Sequence, residues 1–255
     1  MSTVPATPAP AAPIDVARRA RQVFLVSLVV TALLYVVPYG HTVGYPLVLI
    51  STLAHELGHG LAAAAVGGSF DSLKVWPDAS GVTFWSGEVG RLGRAFVAAG
   101  GLVGPAFAAL FLLLLGRRSR VARISLGTLG ALLLVLDVLR VRNPFGLVFV
   151  ALLAAALLLV ALKASDLVAQ LALVFLAVQL ALSVYSRGDY LFTARAMTAA
   201  GPALSDVAVI AEALWLPHWL WGILCGAVSV LALVAGMHGF LAGNQTRAGS
   251  TLSGS

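Results

Sequence analysis

Residues 43–66 read VGYPLVLISTLAHELGHGLAAAAV, an apolar run long enough to cross a bilayer, and His55-Glu56-Leu57-Gly58-His59 lies inside it. On a helix, His55 and His59 are four residues apart and project from one face, so both imidazoles can reach the same zinc ion. Glu56 lies next to that face, placed to take a proton from a water on the metal. Chance alone would place H-E-x-x-H in roughly one in a thousand chains of this composition. Ionisable groups inside a membrane span are costly unless they have a use or a partner, and three within five residues ask for a metal. A metal site at membrane depth implies that water is delivered to a bond buried in lipid.

The rest of the chain supports a membrane setting. Of its 255 residues, 60% are hydrophobic and only 10% charged, and the mean hydropathy is +0.98. Long, nearly charge-free runs recur throughout, which implies an all-α polytopic membrane protein rather than a soluble domain. The runs are continuous rather than alternating, which argues against a strand-built barrel. The net charge of +6 comes almost entirely from arginines at segment ends. Topology signal and lipid-headgroup contact account for it, and no nucleic-acid partner is implied. A single cysteine, Cys225, excludes an intrachain disulfide and a cysteine-built metal site.

Six to seven transmembrane helices are expected. The candidate spans are about 23–40, 43–66, 95–115, 124–140, 144–162, 167–185 and 215–236. Residues 1–21, rich in Ala and Pro, read as a disordered tail, and 243–255 as a flexible one. A single domain over 22–242 lies between them, with a retained first span rather than a cleaved signal. Arg18, Arg19 and Arg21 precede that span and set the N-terminus in the cytoplasm of a multi-pass protein of the plasma membrane. The second span then runs from outside to inside, with His55 and His59 in its cytoplasmic half. Arg117, Arg118, Arg120 and Arg123 fall outside on this topology and weaken its charge bias.

Two connecting regions differ from spans. Between Phe70 and Trp85, two short apolar-aromatic pieces flank Pro77-Asp78-Ala79-Ser80-Gly81, which is turn chemistry. This predicts a small β-hairpin at the membrane surface, just after the HELGH helix. Residues 186–217 are mixed, with Ala203 to Leu216 reading as a helical stretch interrupted by Asp206 and Glu212.

A catalytic zinc site usually has three protein ligands and an open position. H-E-x-x-H supplies two, and there is no further His at helical spacing after His59. His41 precedes the same span by fourteen residues, at its other end, while His218 and His238 flank the last span. Carboxylates are the better candidates. Asp206 follows Ser205, a potential helix cap, on the same side as HELGH. Asp137 also sits near a cytoplasmic helix end, where it alternatively pairs with Arg140 at helical spacing.

Four stretches then resemble the site-2 protease family of intramembrane zinc metalloproteases, in its compact branch without PDZ or CBS domains. They are Leu53–Gly60 with Gly67-Gly68, Trp76–Thr83, Ala99–Ala106, and Leu204-Ser205-Asp206-Val207 with Leu216–Trp219. The resemblance implies His55 and His59 as zinc ligands, Glu56 as general base and Asp206 as third ligand, in the place of a Ser-Asp pair. It also implies a zinc-dependent endopeptidase acting on a membrane-protein substrate with a transmembrane helix, in or near the lipid bilayer. The Leu-Asp-Gly motif of larger relatives is missing; Asn143-Pro144 and Leu136-Asp137 occur in reversed order. The Phe70–Trp85 hairpin offers a sheet edge for an extended substrate. Gly100 and Gly104, spaced as G-x-x-x-G, read as plain helix packing. Competing classes are a non-enzymatic binding or regulatory membrane protein of protease ancestry and, more remotely, a metal transporter. The sequence specifies neither the substrate nor the oligomeric state.

Overall fold

A computed structural model describes residues 13–36, 39–186, 191–199 and 201–242. The two expected tails lie outside these residues, except that the first helix, α1 (Pro13–Val36), begins within the N-terminal one. Pro13 is pre-organised for a first helical turn, and the Ala- and Arg-rich residues after it are helix formers.

The chain continues as α2 (Gly40–Ala65), β1 (Ser69–Val75), β2 (Gly81–Ser86), α3 (Gly90–Leu115), α4 (Ser119–Arg140), α5 (Pro144–Lys163) and α6 (Asp166–Ser186). It ends in β3 (Arg195–Thr198), β4 (Gly201–Leu204), α7 (Asp206–Leu214) and α8 (His218–Ala242). Each expected span coincides with one of the long helices. Among the described residues, five stretches are long and apolar enough to cross a membrane: Gly44–Ala65, Gly90–Leu115, Ser119–Arg140, Pro144–Lys163 and His218–Leu241. Arg21–Leu33 and Asp166–Leu182 are shorter apolar helices. Side chains such as Leu132, Leu152, Leu162 and Leu231 stand exposed on the outside of the bundle, an arrangement that suits lipid and not water. The chain is a multi-pass integral membrane protein.

α3 is central, packing against α2, α6, α7 and α8. Its contact with α2 is backbone to backbone. A Cβ placed on Gly58 would lie 2.2 Å from the Gly100 carbonyl oxygen, so only glycine permits this approach. With the helices this close, the side chains of α2 are set against the α3 main chain.

The expected hairpin is present, β1 pairing antiparallel with β2 from Ser69↔Ser86 to Val75↔Gly81. It folds back along α2 instead of ending at the helix terminus. Its turn is closed by Asp78, whose Oδ1 accepts from the Ser80 amide at 2.9 Å. Tyr45 then donates to the Pro77 carbonyl, and Thr52 to that of Ala79 at 2.7 Å. Leu73 and Val75 are fully buried against Leu49 and Leu53 of α2 and against α4 and α5.

The outer edge of β1 is closed by the α4–α5 connection. The Arg142 amide donates to the Leu73 carbonyl at 3.1 Å. The side-chain amide of Asn143 accepts from the Val75 N–H at 3.2 Å and donates to its carbonyl at 2.7 Å. Asn143 thus stands in for a neighbouring strand, while β2 has no second strand beside it among the described residues.

A second hairpin, β3–β4, lies within the mixed 186–217 region, and the helical stretch expected over Ala203 to Leu216 is shorter than that reading. Ala203 and Leu204 belong to β4, and the helix starts only at Asp206. Ser205 is extended and caps α7 by accepting from the Ala208 amide at 3.3 Å, which explains the boundary.

Candidate metal centre

The second and third turns of α2 from its C-terminal end carry His59, Glu56 and His55, with His55 and Glu56 only 6% and 5% exposed. Asp206, the first residue of α7, meets them from the opposite wall, itself 8% exposed. Its Oδ2 lies 3.1 Å from His55 Nε2 and its Oδ1 3.3 Å from His59 Nε2. The two Nε2 atoms are 3.1 Å apart. Residues more than 140 positions apart therefore form one triangle of donor atoms.

The tautomer of His59 follows from its neighbour. Nδ1 is 2.8 Å from the Val97 carbonyl oxygen, which can only accept, so Nδ1 carries the proton. In the metal-binding form of the ring, Nε2 then turns a lone pair toward the other two groups. Asp206 Oδ2 is buried and completes no well-directed hydrogen bond, although His55 Nε2 is close. Converging lone pairs of this kind repel unless a cation sits among them.

The spacing fits a metal. Ligand atoms about 2.0–2.2 Å from a tetrahedral ion are about 3.3–3.6 Å from one another. The three separations come within a few tenths of an ångström of that edge. His55, His59 and Asp206 could hold a metal ion, and two imidazoles with one carboxylate are a donor set suited to zinc.

A third helix makes room for the ring. A Cβ on Gly101 of α3 would lie 2.2 Å from His59 Nε2. Gly100 and Gly104 face α2 backbone as the packing pair expected, whereas Gly101 abuts the imidazole itself, a role spacing did not reveal.

Glu56 lies one residue from the ligand face and beneath the hairpin. A Cβ on Gly81 would sit 2.8 Å from Glu56 Oε1. Thr83 of β2 donates to the Glu56 carbonyl at 2.8 Å, fixing the strand over this turn of helix. His55, Glu56, His59 and Asp206 line one cavity of about 200 Å³ with Gly81, Thr83, Trp85 and Arg94, walled on the far side by Ala203 and Leu204.

The other candidates are elsewhere. Asp137 is buried on α4 with Oδ1 unpartnered, and no ion pair joins it to Arg140 among the described residues. The Arg140 guanidinium instead reaches the Asp71 carbonyl and the Phe70 ring, drawn there by the hairpin packed beside α4. His218 faces the Phe192 carbonyl at 3.2 Å, and His238 is exposed on α8. The His41 side chain lies outside the described ones.

No curated protein and no solved structure matches the chain. A family model described as Peptidase M50B-like matches residues 26–236. That span runs from α1 to α8 and includes the His-Glu-x-x-His helix, both hairpins and Asp206. The chain therefore belongs to the Peptidase M50B-like family, the site-2 protease family that its motifs resemble.

Proposed function

We propose that this chain is a zinc-dependent intramembrane endopeptidase that cleaves a membrane-protein substrate in or near a transmembrane segment. His55, His59 and Asp206 are its metal ligands and Glu56 its general base. The domain spans 22–242, in the plasma membrane, with its N-terminus in the cytoplasm. The observation that carries this reading is the shared cavity, which Glu56 and the His-His-Asp triangle line together with Gly81, Thr83 and Trp85 of β2, a strand with no second strand beside it among the described residues.

Zinc, when bound, polarises a carbonyl and makes water reactive near neutral pH. The chain's residues do the rest. The Val97 carbonyl orients His59, and Gly101 leaves its ring space. Glu56 accepts a proton from the attacking water and returns it to the nitrogen of the departing amine, so that the C–N bond breaks without releasing an unprotonated amide. A helical substrate hides its carbonyls in its own hydrogen bonds and must unwind. Because 141–143 occupy the β1 edge, β2 is the edge left for main-chain pairing with the unwound segment.

The test is Glu56→Gln in the full chain. Bound zinc should stay at the wild-type level while cleavage of a membrane substrate falls about a hundredfold or more. Loss of only a few-fold would remove the general-base role, and loss of zinc would make Glu56 a ligand.

A further inference from the structure

The cavity has an inner and an outer end. Its inner end is the metal triangle with Glu56 and Gly81. Its outer end follows from two elements: β2 runs outward from Gly81 to Trp85, and α3 carries Arg94 one turn before Val97, whose carbonyl holds His59. That turn corresponds to a rise of about 4.5 Å toward the mouth. Among the described residues, Arg94 is the only lysine or arginine lining the cavity. It is exposed there, and among the described residues no hydrogen bond or ion pair engages its guanidinium.

Its neighbour in the same turn behaves differently. The Arg91 guanidinium stacks 3.8 Å over the Trp215 ring and reaches the Glu212 carbonyl, tying α3 to the end of α7. One of the two arginines is thus committed to packing, and the other is left facing the cavity. Charge counting sharpens the contrast. Glu56 and Asp206 bring two negative charges, which a bound divalent ion offsets, so Arg94 leaves the cavity with one positive charge in excess. A cavity of that sign favours an anionic group in whatever occupies it. A guanidinium matches a carboxylate in geometry as well, through two parallel hydrogen bonds.

We propose that Arg94 is a specificity-determining residue that selects substrates bearing a carboxylate side chain close to the scissile bond. A strand paired on β2 advances about 3.3 Å per residue, so the selected side chain lies within about four residues of that bond, on the side toward the cavity mouth. The inference rests on the endopeptidase reading, and binding separates the two.

The probes are synthetic membrane peptides with an apolar Leu/Ala helix of about 20 residues and a Gly/Ser extension. One position at a time near the junction is Glu, Gln or Lys. Binding is measured to the full-length Glu56→Gln protein in nanodiscs, alone and with Arg94→Gln or Arg94→Glu added, and zinc content verifies each fold. With Arg94 present, the Glu peptide should bind at least about tenfold tighter than the Gln peptide at one position, the size expected of a hydrogen bond between charged groups. Arg94→Gln should abolish that preference, and Arg94→Glu should transfer it to the Lys peptide. The same ranking should appear in kcat/KM when Glu56 is present. An unchanged ranking in all three proteins overturns the proposal. So does an equal loss for every peptide, the result expected if Arg94 meets a lipid phosphate instead. Acid-selective binding that follows residue 94 without any cleavage by the wild type would retain Arg94 as selector and reject the peptidase reading. Cleavage indifferent to residue 94 would do the reverse.

Discussion

Gly101 and His59 share one space: a Cβ on Gly101 would lie 2.2 Å from both Cε1 and Nε2 of the His59 ring. The imidazole is therefore clamped between the α3 main chain and Asp206, with its other nitrogen held by the Val97 carbonyl. Support of this kind around a metal-binding histidine is typically worth about tenfold to a hundredfold in metal affinity. Gly101→Ala should lower zinc affinity by that factor while the helices still assemble, because the clash is with a side-chain end that can swing away. Gly44→Ala, where nothing lies within 4 Å, is the control. Zinc titration of both variants in detergent checks this, and equal affinities would show that the ring tolerates displacement.

The two aspartates should separate cleanly. Asp206→Ala removes a group that faces both imidazoles, so zinc binding should weaken and cleavage should disappear. Asp137→Asn leaves the triangle untouched and should retain full zinc stoichiometry, about one ion per chain. Because Asp137 is buried with an unpartnered oxygen and, among the described residues, no paired arginine, the amide should not cost stability. Metal analysis of the two purified variants decides the matter; zinc lost from the Asp137 variant alone would place the site on α4.

Asn143 should prove structural rather than ligating. Its side chain completes both main-chain groups of Val75, a residue with no exposed surface. Asn143→Ala leaves that N–H and carbonyl buried without partners, a loss of about 1–3 kcal/mol each. A lower unfolding temperature with unchanged zinc content is expected, together with faster amide hydrogen exchange at Val75. An unaltered Val75 amide would show that the β1 edge is closed by something else.

How much of this could be read beforehand depends on the range of the interactions. The spans, the His-Glu-x-x-His face and the turn at 77–81 are local patterns. Hydropathy over some twenty residues, four-residue spacing and turn chemistry express themselves wherever the segment sits. The β3–β4 hairpin escaped for the opposite reason. Gly201-Pro202-Ala203-Leu204 carries no alternation, and its four-residue strands are defined by pairing partners. Arg94 and Gly101 looked like ordinary helix residues, one near a helix start and one within a small-residue run.

By itself the sequence determined the membrane class, the pair of histidines with Glu56 beside them, and the two carboxylates able to join them. The sequence favoured Asp206 over Asp137 by resemblance, but which of them stands beside that pair was decided by tertiary structure. Both are aspartates near helix ends, and the Ser205 cap and the family resemblance favour Asp206 without placing it beside the histidines. What separates them is that Ser205 starts α7 at the wall facing α2, whereas α4 spends its end against the hairpin. The same holds for the free strand edge. Nothing in residues 69–86 says which strand is exposed, because the closure comes from Asn143, nearly seventy residues away. Coordination and edge pairing are contacts between distant segments, and only the packed helices bring those segments together.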